Sequence, residues 1–101
     1  MMTKFSYKLY KQGIDVLLAI SDADIVGKTF EEGDIKVTVH EDFYSDKVCG
    51  EDKVLELVKS STIVNAIGEQ IVGLLVNERF IDNSHVLIIS GIPHAQIITI
   101  Q

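Results

Sequence analysis

TIVNAIGEQIVGLLVNERF (Thr62–Phe80) is the segment on which the fold turns. Ile63, Ile67, Ile71, Leu74 and Leu75, with Val64, recur at three- and four-residue steps. On a helix that spacing makes one wide apolar stripe, so a helix is expected over about Ile63 to Phe80. Asn65, Glu69, Gly73 and Asn77 then form its polar edge. Asn65 and Glu69 are four residues apart and would project together, and Gly68 would admit another backbone beside them. The stripe is wider than a surface helix needs. Such a helix is buried by both a sheet and a second helix, or it has a partner.

Upstream, Glu51-Asp52 stand where acids favour a helix start, and Val54, Leu55 and Val58 follow at helical spacing. Ser60, Ser61 and Thr62 interrupt that helix and can cap the next. Near the N-terminus, Phe5, Tyr7 and Leu9 alternate with Ser6, Lys8 and Tyr10, a strand pattern. Gln12-Gly13 reads as a turn. Ile14 to Ile20 is nearly all apolar and reads as a central, deeply covered strand in a hairpin with the first. Gly27 and Gly33 bracket a loop, and Ile35, Val37 and Val39 make a third strand. Glu41 to Gly50 reads as a polar connection. Downstream, Asp82-Asn83-Ser84 is a turn, Val86 to Ile89 a strand, Gly91 to His94 a turn, and Ala95 to Ile100 the last strand. The order βββααββ with short links implies an α+β two-layer sandwich. Its mainly antiparallel sheet of about five strands is covered on one face by two helices. Residues 1–101 form a single domain.

Composition narrows the function classes. The formal net charge is −6, from 9 Lys and Arg against 15 Asp and Glu. Arg79 is the one arginine, and extensive nucleic-acid contact needs basic residues to neutralise phosphates. A residual RNA reading would require Lys4, Lys8, Lys11, Lys28 and Lys36 on one face. No apolar run approaches the ~18–20 residues of a membrane span. The N-terminus lacks a signal-peptide pattern. Cys49 is the one cysteine, so it has no internal disulfide partner and reads as an ordinary thiol. A cytoplasmic protein is expected.

Local motifs supply little chemistry. Gly27-Lys28-Thr29 ends like a P-loop, but the glycine needed five residues earlier is Asp22, whose charge would repel phosphate. Asp22 and Asp24 lack the ligand spacing of a calcium loop and read as turn and cap residues. His40, His85 and His94 lie in separate elements with no metal-ligand spacing, so no metal and no cofactor are expected.

The constellation that remains is nonlocal. In the last strand His94, Gln96, Ile98 and Ile100 share one face, and Ala95, Ile97, Thr99 and Gln101 the other. If Ile98 and Ile100 face the helices, His94 and Gln96 meet Asn65 and Glu69 at the rim of the core. Those four are the candidate ligand-binding residues, and Glu69 with His94 the candidate general base and acid. A structural hydrogen bond between rim groups is the simpler account of the same pattern. Pro93 fixes the turn before His94, with a trans Ile92–Pro93 bond expected.

Three segments carry a family resemblance: Gly27-Lys28-Thr29-Phe30-Glu31-Glu32-Gly33, Thr62-Ile63-Val64-Asn65-Ala66-Ile67-Gly68-Glu69, and Gly91-Ile92-Pro93-His94-Ala95-Gln96. In this order and spacing they resemble the archaeal domain-of-unknown-function family 424. The resemblance covers nearly the whole chain. It implies a stand-alone archaeal cytoplasmic protein and an association with translation, and it supplies no reaction. The function expected is therefore a non-catalytic interaction module, with a protein partner or self-association. The alternatives are a small enzyme or small-molecule binder at Glu69 and His94, and a homo-oligomeric structural protein.

Overall fold

The computed structural model describes residues 4–98; residues 1–3 and 99–101 lie outside the described residues, and with them the expectations for Ile100 and its neighbours. The chain runs β1 (Phe5–Gln12), β2 (Asp15–Asp22), a 3-10 turn (Ala23–Ile25), β3 (Thr29–Glu32), β4 (Ile35–Thr38), α1 (Glu41–Tyr44) and β5 (Lys47–Cys49). It continues through α2 (Glu51–Lys59), β6 (Ile63–Ile67), α3 (Glu69–Asn77), a second 3-10 turn (Asn83–His85), β7 (Leu87–Ile89) and β8 (Ile92–Ile98).

Thr62–Phe80 is thus not one helix. Its first part is a strand, and the helix begins only at Glu69. Gly68 separates the two with φ of 129° and ψ of 152°, a conformation that only glycine adopts freely. Ile63, Val64 and Ile67 are β-branched and suit a strand. A nearly continuous apolar run fits both a buried helix and a strand covered on both faces, so its periodicity alone could not decide.

Six strands form one mixed sheet in the order β5-β1-β2-β6-β8-β7, and β3 with β4 forms a separate hairpin. β2 and β6 pair in parallel, and the other neighbours are antiparallel. The parallel pair requires a long crossover, supplied by everything between Asp22 and Ile63. This corrects the expected five-strand sheet. Two short strands, β3 and β5, and the one-turn helix α1 lie in segments whose polarity reads as loop.

The sheet is covered on both faces, unlike the two-layer arrangement expected. On one face α2 and α3 pack Val54, Leu57, Val58, Ile71, Val72 and Leu75 against Phe5, Tyr7, Leu18, Ile20, Val64, Ala66 and Ala95. Each fully buried aliphatic side chain there contributes roughly 1.5–3 kcal/mol. On the other face the first 3-10 turn, the β3–β4 hairpin and α1 enclose a smaller cluster of Ala19, Ile25, Val39, Tyr44 and Ile67. β2 is central as expected, with Leu18, Ala19 and Ile20 wholly inaccessible.

The seryl residues after α2 close that helix rather than opening the next. Ser61 Oγ donates to the Leu57 carbonyl at 2.7 Å, and Ser60 Oγ to the same carbonyl at 3.1 Å. At the far end of the sheet the turn is Ser90-Gly91, with φ of 52° and 80°. These positive angles are those of a tight type I′ hairpin. Ile92, Pro93 and His94 are therefore already in β8, and the Ile92–Pro93 bond is trans. Gly68 N–H donates to the Pro93 carbonyl at 2.9 Å, where β6 has ended.

Candidate binding site at Asn65 and His94

β8 places its residues on faces opposite to those expected. Ala95 is buried and Ile97 packs against the helix-covered core, while Ile98 is 65% exposed on the other face. The reason lies in register: Asn65 stands opposite Gln96, Ile67 opposite His94 and Ile63 opposite Ile98. Alternation then sends His94, Gln96 and Ile98 to the face of the hairpin and α1.

There Asn65 and His94 meet. His94 Nε2 lies 3.0 Å from Asn65 Oδ1, and Tyr44 Oη donates to the same oxygen at 2.7 Å. An oxygen that accepts from Tyr44 can only accept from His94 as well, so Nε2 carries the proton and Nδ1 is the bare nitrogen. Burial lowers the His94 pKa from its ordinary value, favouring this neutral imidazole. Burial also pushes the Tyr44 hydroxyl up to about 12, so it remains a donor. Among the described residues no buried side-chain nitrogen or oxygen lacks a partner. Among the described residues neither Asn65 Nδ2 nor His94 Nδ1 makes a hydrogen bond, and neither is a sealed, unpartnered atom. The cluster thus leaves two amide hydrogens and one imidazole acceptor without a partner among the described residues.

Tyr44 is held by its surroundings. Its ring meets Phe43 edge-on at 4.9 Å, and Phe43 stacks on Tyr10 at 5.4 Å. Tyr10 Oη donates to the Phe43 carbonyl at 2.9 Å, pinning α1 to β1. Sequence reasoning missed Tyr44, because nothing in the polar stretch around it shows that it returns to the sheet.

Gln96 stands beside this hub and Glu69 away from it. Gln96 is the cross-strand neighbour of Asn65 and is exposed. Glu69 is exposed at the first position of α3, and among the described residues no hydrogen bond or ion pair joins it to His94. With residues 63–67 in a strand, the four-residue helical step that would have aligned Asn65 with Glu69 does not exist.

The carboxylate that matters at α3 is Asp22. Its Oδ2 accepts from Gln70 N–H at 2.9 Å and its Oδ1 from Ile71 N–H at 2.7 Å. Asp22 therefore caps a helix 48 residues away in sequence. Burial, outweighing the two backbone hydrogen bonds, raises its pKa. A side chain on Gly68 would meet this carboxylate, with its Cβ only 2.5 Å from Asp22 Cγ. The helix N-terminus, a ready anion site in general, is thus already filled by the protein's own anion.

The five lysines of the RNA reading do not share a face. Lys8 and Lys11 leave β1 on opposite sides, Lys8 donates to the Asp42 carbonyl, and Lys36 pairs with Glu31. No helix of the described residues is long and apolar enough to cross a membrane. Among the described residues no group of three His, Cys, Asp or Glu gathers as a metal site. A shallow depression of about 510 Å³ beyond the C-terminal end of α3 is lined by Val76, Arg79, Phe80, Ile81 and Asp82, none of them in the Asn65 cluster.

The fold has a solved counterpart. The crystal structure of an uncharacterized conserved protein from Methanopyrus kandleri superposes with a TM-score of 0.76 at 24% identity, covering 97% of this chain and 95% of that one. No curated protein matches the chain. The family described as Protein of unknown function (DUF424) matches residues 10–100, which include the Gly27–Gly33, Thr62–Glu69 and Gly91–Gln96 segments. The chain belongs to that family.

Proposed function

We propose that this protein is a non-catalytic interaction module whose contact surface is the open part of the sheet face around Asn65 and His94. The observation that carries this reading is a ledge with no charged side chain. Ile63, Asn65, His94, Gln96, Ile98 and Leu87 occupy neighbouring positions on β6, β8 and β7. Ile98 is 65% and Leu87 55% exposed, although 24% of the chain is charged. Protein contact surfaces are depleted of charge at their centre, and exposed apolar groups beside a fixed polar hub fit that pattern. A general acid–base role has less support, because among the described residues no carboxylate hydrogen-bonds His94 and its Nε2 proton is engaged by Asn65.

The test is affinity capture of the tagged protein from native extract, with and without nuclease, beside an Ile98→Lys variant. The reading expects bound protein that the variant loses while its spectrum stays native. Recovery of the same partners by both forms would overturn it. Retention of translation components only without nuclease would trace that association to RNA. A second reading, a small polar ligand held by Asn65 Nδ2 and His94 Nδ1, rests on those two groups having no partner among the described residues. It expects His94→Ala to abolish a ligand-induced melting shift that Glu69→Gln leaves intact.

A further inference from the structure

The sheet face that carries this ledge is otherwise covered by residues 23–46, and the charge of that cover is lopsided. It holds seven exposed carboxylates, Asp24, Glu31, Glu32, Asp34, Glu41, Asp42 and Asp46, against Lys28 and Lys36. The cover therefore has a net charge of −5 out of −6 for the whole chain. Everything else, including both long helices and the remaining strands, sums to −1. The acidity is thus the property of one layer, and that layer flanks the ledge.

The two sit side by side by construction. α1 carries Glu41 and Asp42, and its Tyr44 hydrogen-bonds Asn65 in the floor of the ledge. At the other end, Ser90 N–H donates to Glu32 at 3.0 Å, tying the hairpin to the β7–β8 turn. Across the sheet the floor opens progressively: Ala19 is buried, Asn65 half-buried and Gln96 exposed along one row. In the next row Leu17 and Ile63 are half-buried and Ile98 is exposed.

We infer that the ledge receives a basic polypeptide segment, which lays apolar side chains on Ile63, Ile98 and Leu87 while its lysines and arginines face the acidic cover. This inference rests on the interaction reading above and adds the chemistry of the partner. Complementary potential steers encounter and rejects wrong partners. A nucleic acid would bring phosphates against the carboxylates. A second copy, docked ledge to ledge, would bring two acidic covers to one contact, and like charges so placed oppose association. Asn65 and Gln96 can pair with backbone amide groups of the segment, which fits an uncharged floor that still holds polar groups.

Three synthetic peptides of equal length test this. The first has leucines at helical spacing with lysines elsewhere; the second replaces the lysines by glutamates; the third keeps the lysines but scatters the leucines. Each is titrated into the isotopically labelled full chain, with backbone amide shifts as the readout and sedimentation as a check on self-association. The expected result is saturable movement of Ile63, Asn65, Gln96 and Ile98 by the first peptide only. Affinity should fall several-fold between low and physiological salt, and tenfold or more in Ile98→Lys. Equal movement of the ledge by the glutamate peptide would overturn the partner chemistry while leaving the ledge as a contact surface. Equal binding of the scattered peptide, with shifts confined to residues 23–46, would overturn the ledge as its seat. A concentration-dependent dimer that moves the same ledge residues without peptide would assign the surface to a second copy instead.

Discussion

Replacing Gly68 by alanine should damage this protein through one identifiable contact. The new Cβ would lie 2.5, 2.7 and 2.8 Å from Cγ, Oδ1 and Oδ2 of Asp22, so the carboxylate must leave its position. That breaks its hydrogen bonds to Gln70 and Ile71, and bonds to a charged group are worth about 1.5–3 kcal/mol each. Relief of the carboxylate's burial offsets part of the loss. The alanine also pays for φ of 129°, at about 1–3 kcal/mol for such a backbone region. Together Gly68→Ala should cost about 3–5 kcal/mol, a large share of the ~5–15 kcal/mol that holds a domain folded. Asp22→Ala alone should cost about 2–4 kcal/mol, by orphaning two amides at the start of α3. In the double variant the clash has no target, and only the backbone strain remains of the glycine effect. Urea unfolding followed by circular dichroism gives all four corners of the cycle. The coupling should reach about 1–2 kcal/mol, and costs that add to within about 0.5 kcal/mol would refute the contact.

The remaining predictions concern protonation and caps. Because burial raises the Asp22 pKa, the folded state holds this proton more tightly than the unfolded chain. Its contribution to stability is full below the ordinary carboxylate range and is lost as pH rises through the folded pKa. Asp22→Asn should remove that part of the stability-versus-pH curve measured by urea titration, and an unchanged curve would contradict it. For His94 the sign is opposite. Its pKa is lowered, so its contribution is present above 6.5 and is lost as pH falls through the folded pKa. NMR titration should show the lowered pKa and a proton on Nε2. Asn65→Leu leaves the buried Tyr44 hydroxyl without its acceptor and should cost about 1–3 kcal/mol in the same unfolding assay. Arg79 sits just past α3 with φ of 63°, while Phe80 N–H donates back to the Leu75 carbonyl and Arg79 N–H to that of Val76. This is a Schellman ending with arginine where glycine is favoured. Arg79→Gly should therefore stabilise by about 0.5–1 kcal/mol, read as a rise in melting temperature; a fall would show that the guanidinium has a compensating contact.

Much of the fold and part of the candidate site could be read from residue order. Asn65 and His94 were both legible as partners, since each is a polar residue set among strand- or helix-forming apolar neighbours near the core rim. Glu69 was not separable from Asp22 as the acid that matters at α3. The pairing that chooses between them joins residues 48 positions apart, and no local pattern reports it. Tyr44 escaped for the same reason, since its partner Asn65 is reached only through the tertiary fold.

The sequence by itself determined the elements with a single period. The alternation of β1, the apolar run of β2, the helix opened by Glu51-Asp52, and the terminal strand around Ala95 and Ile97 all follow from where apolar side chains repeat. It also determined that the carboxylates crowd into residues 23–46. The tertiary structure decided the rest. Ile63–Ile67 became a strand because β2 and β8 offered both of its edges hydrogen-bond partners, while its spacing suited a helix equally well. Pairing Ile67 with His94 then sent His94, Gln96 and Ile98 away from the helices, since a register fixes every face along a strand at once. Laid over that same face, the acidic segment became one layer beside an uncharged ledge, a juxtaposition that residue order alone does not contain.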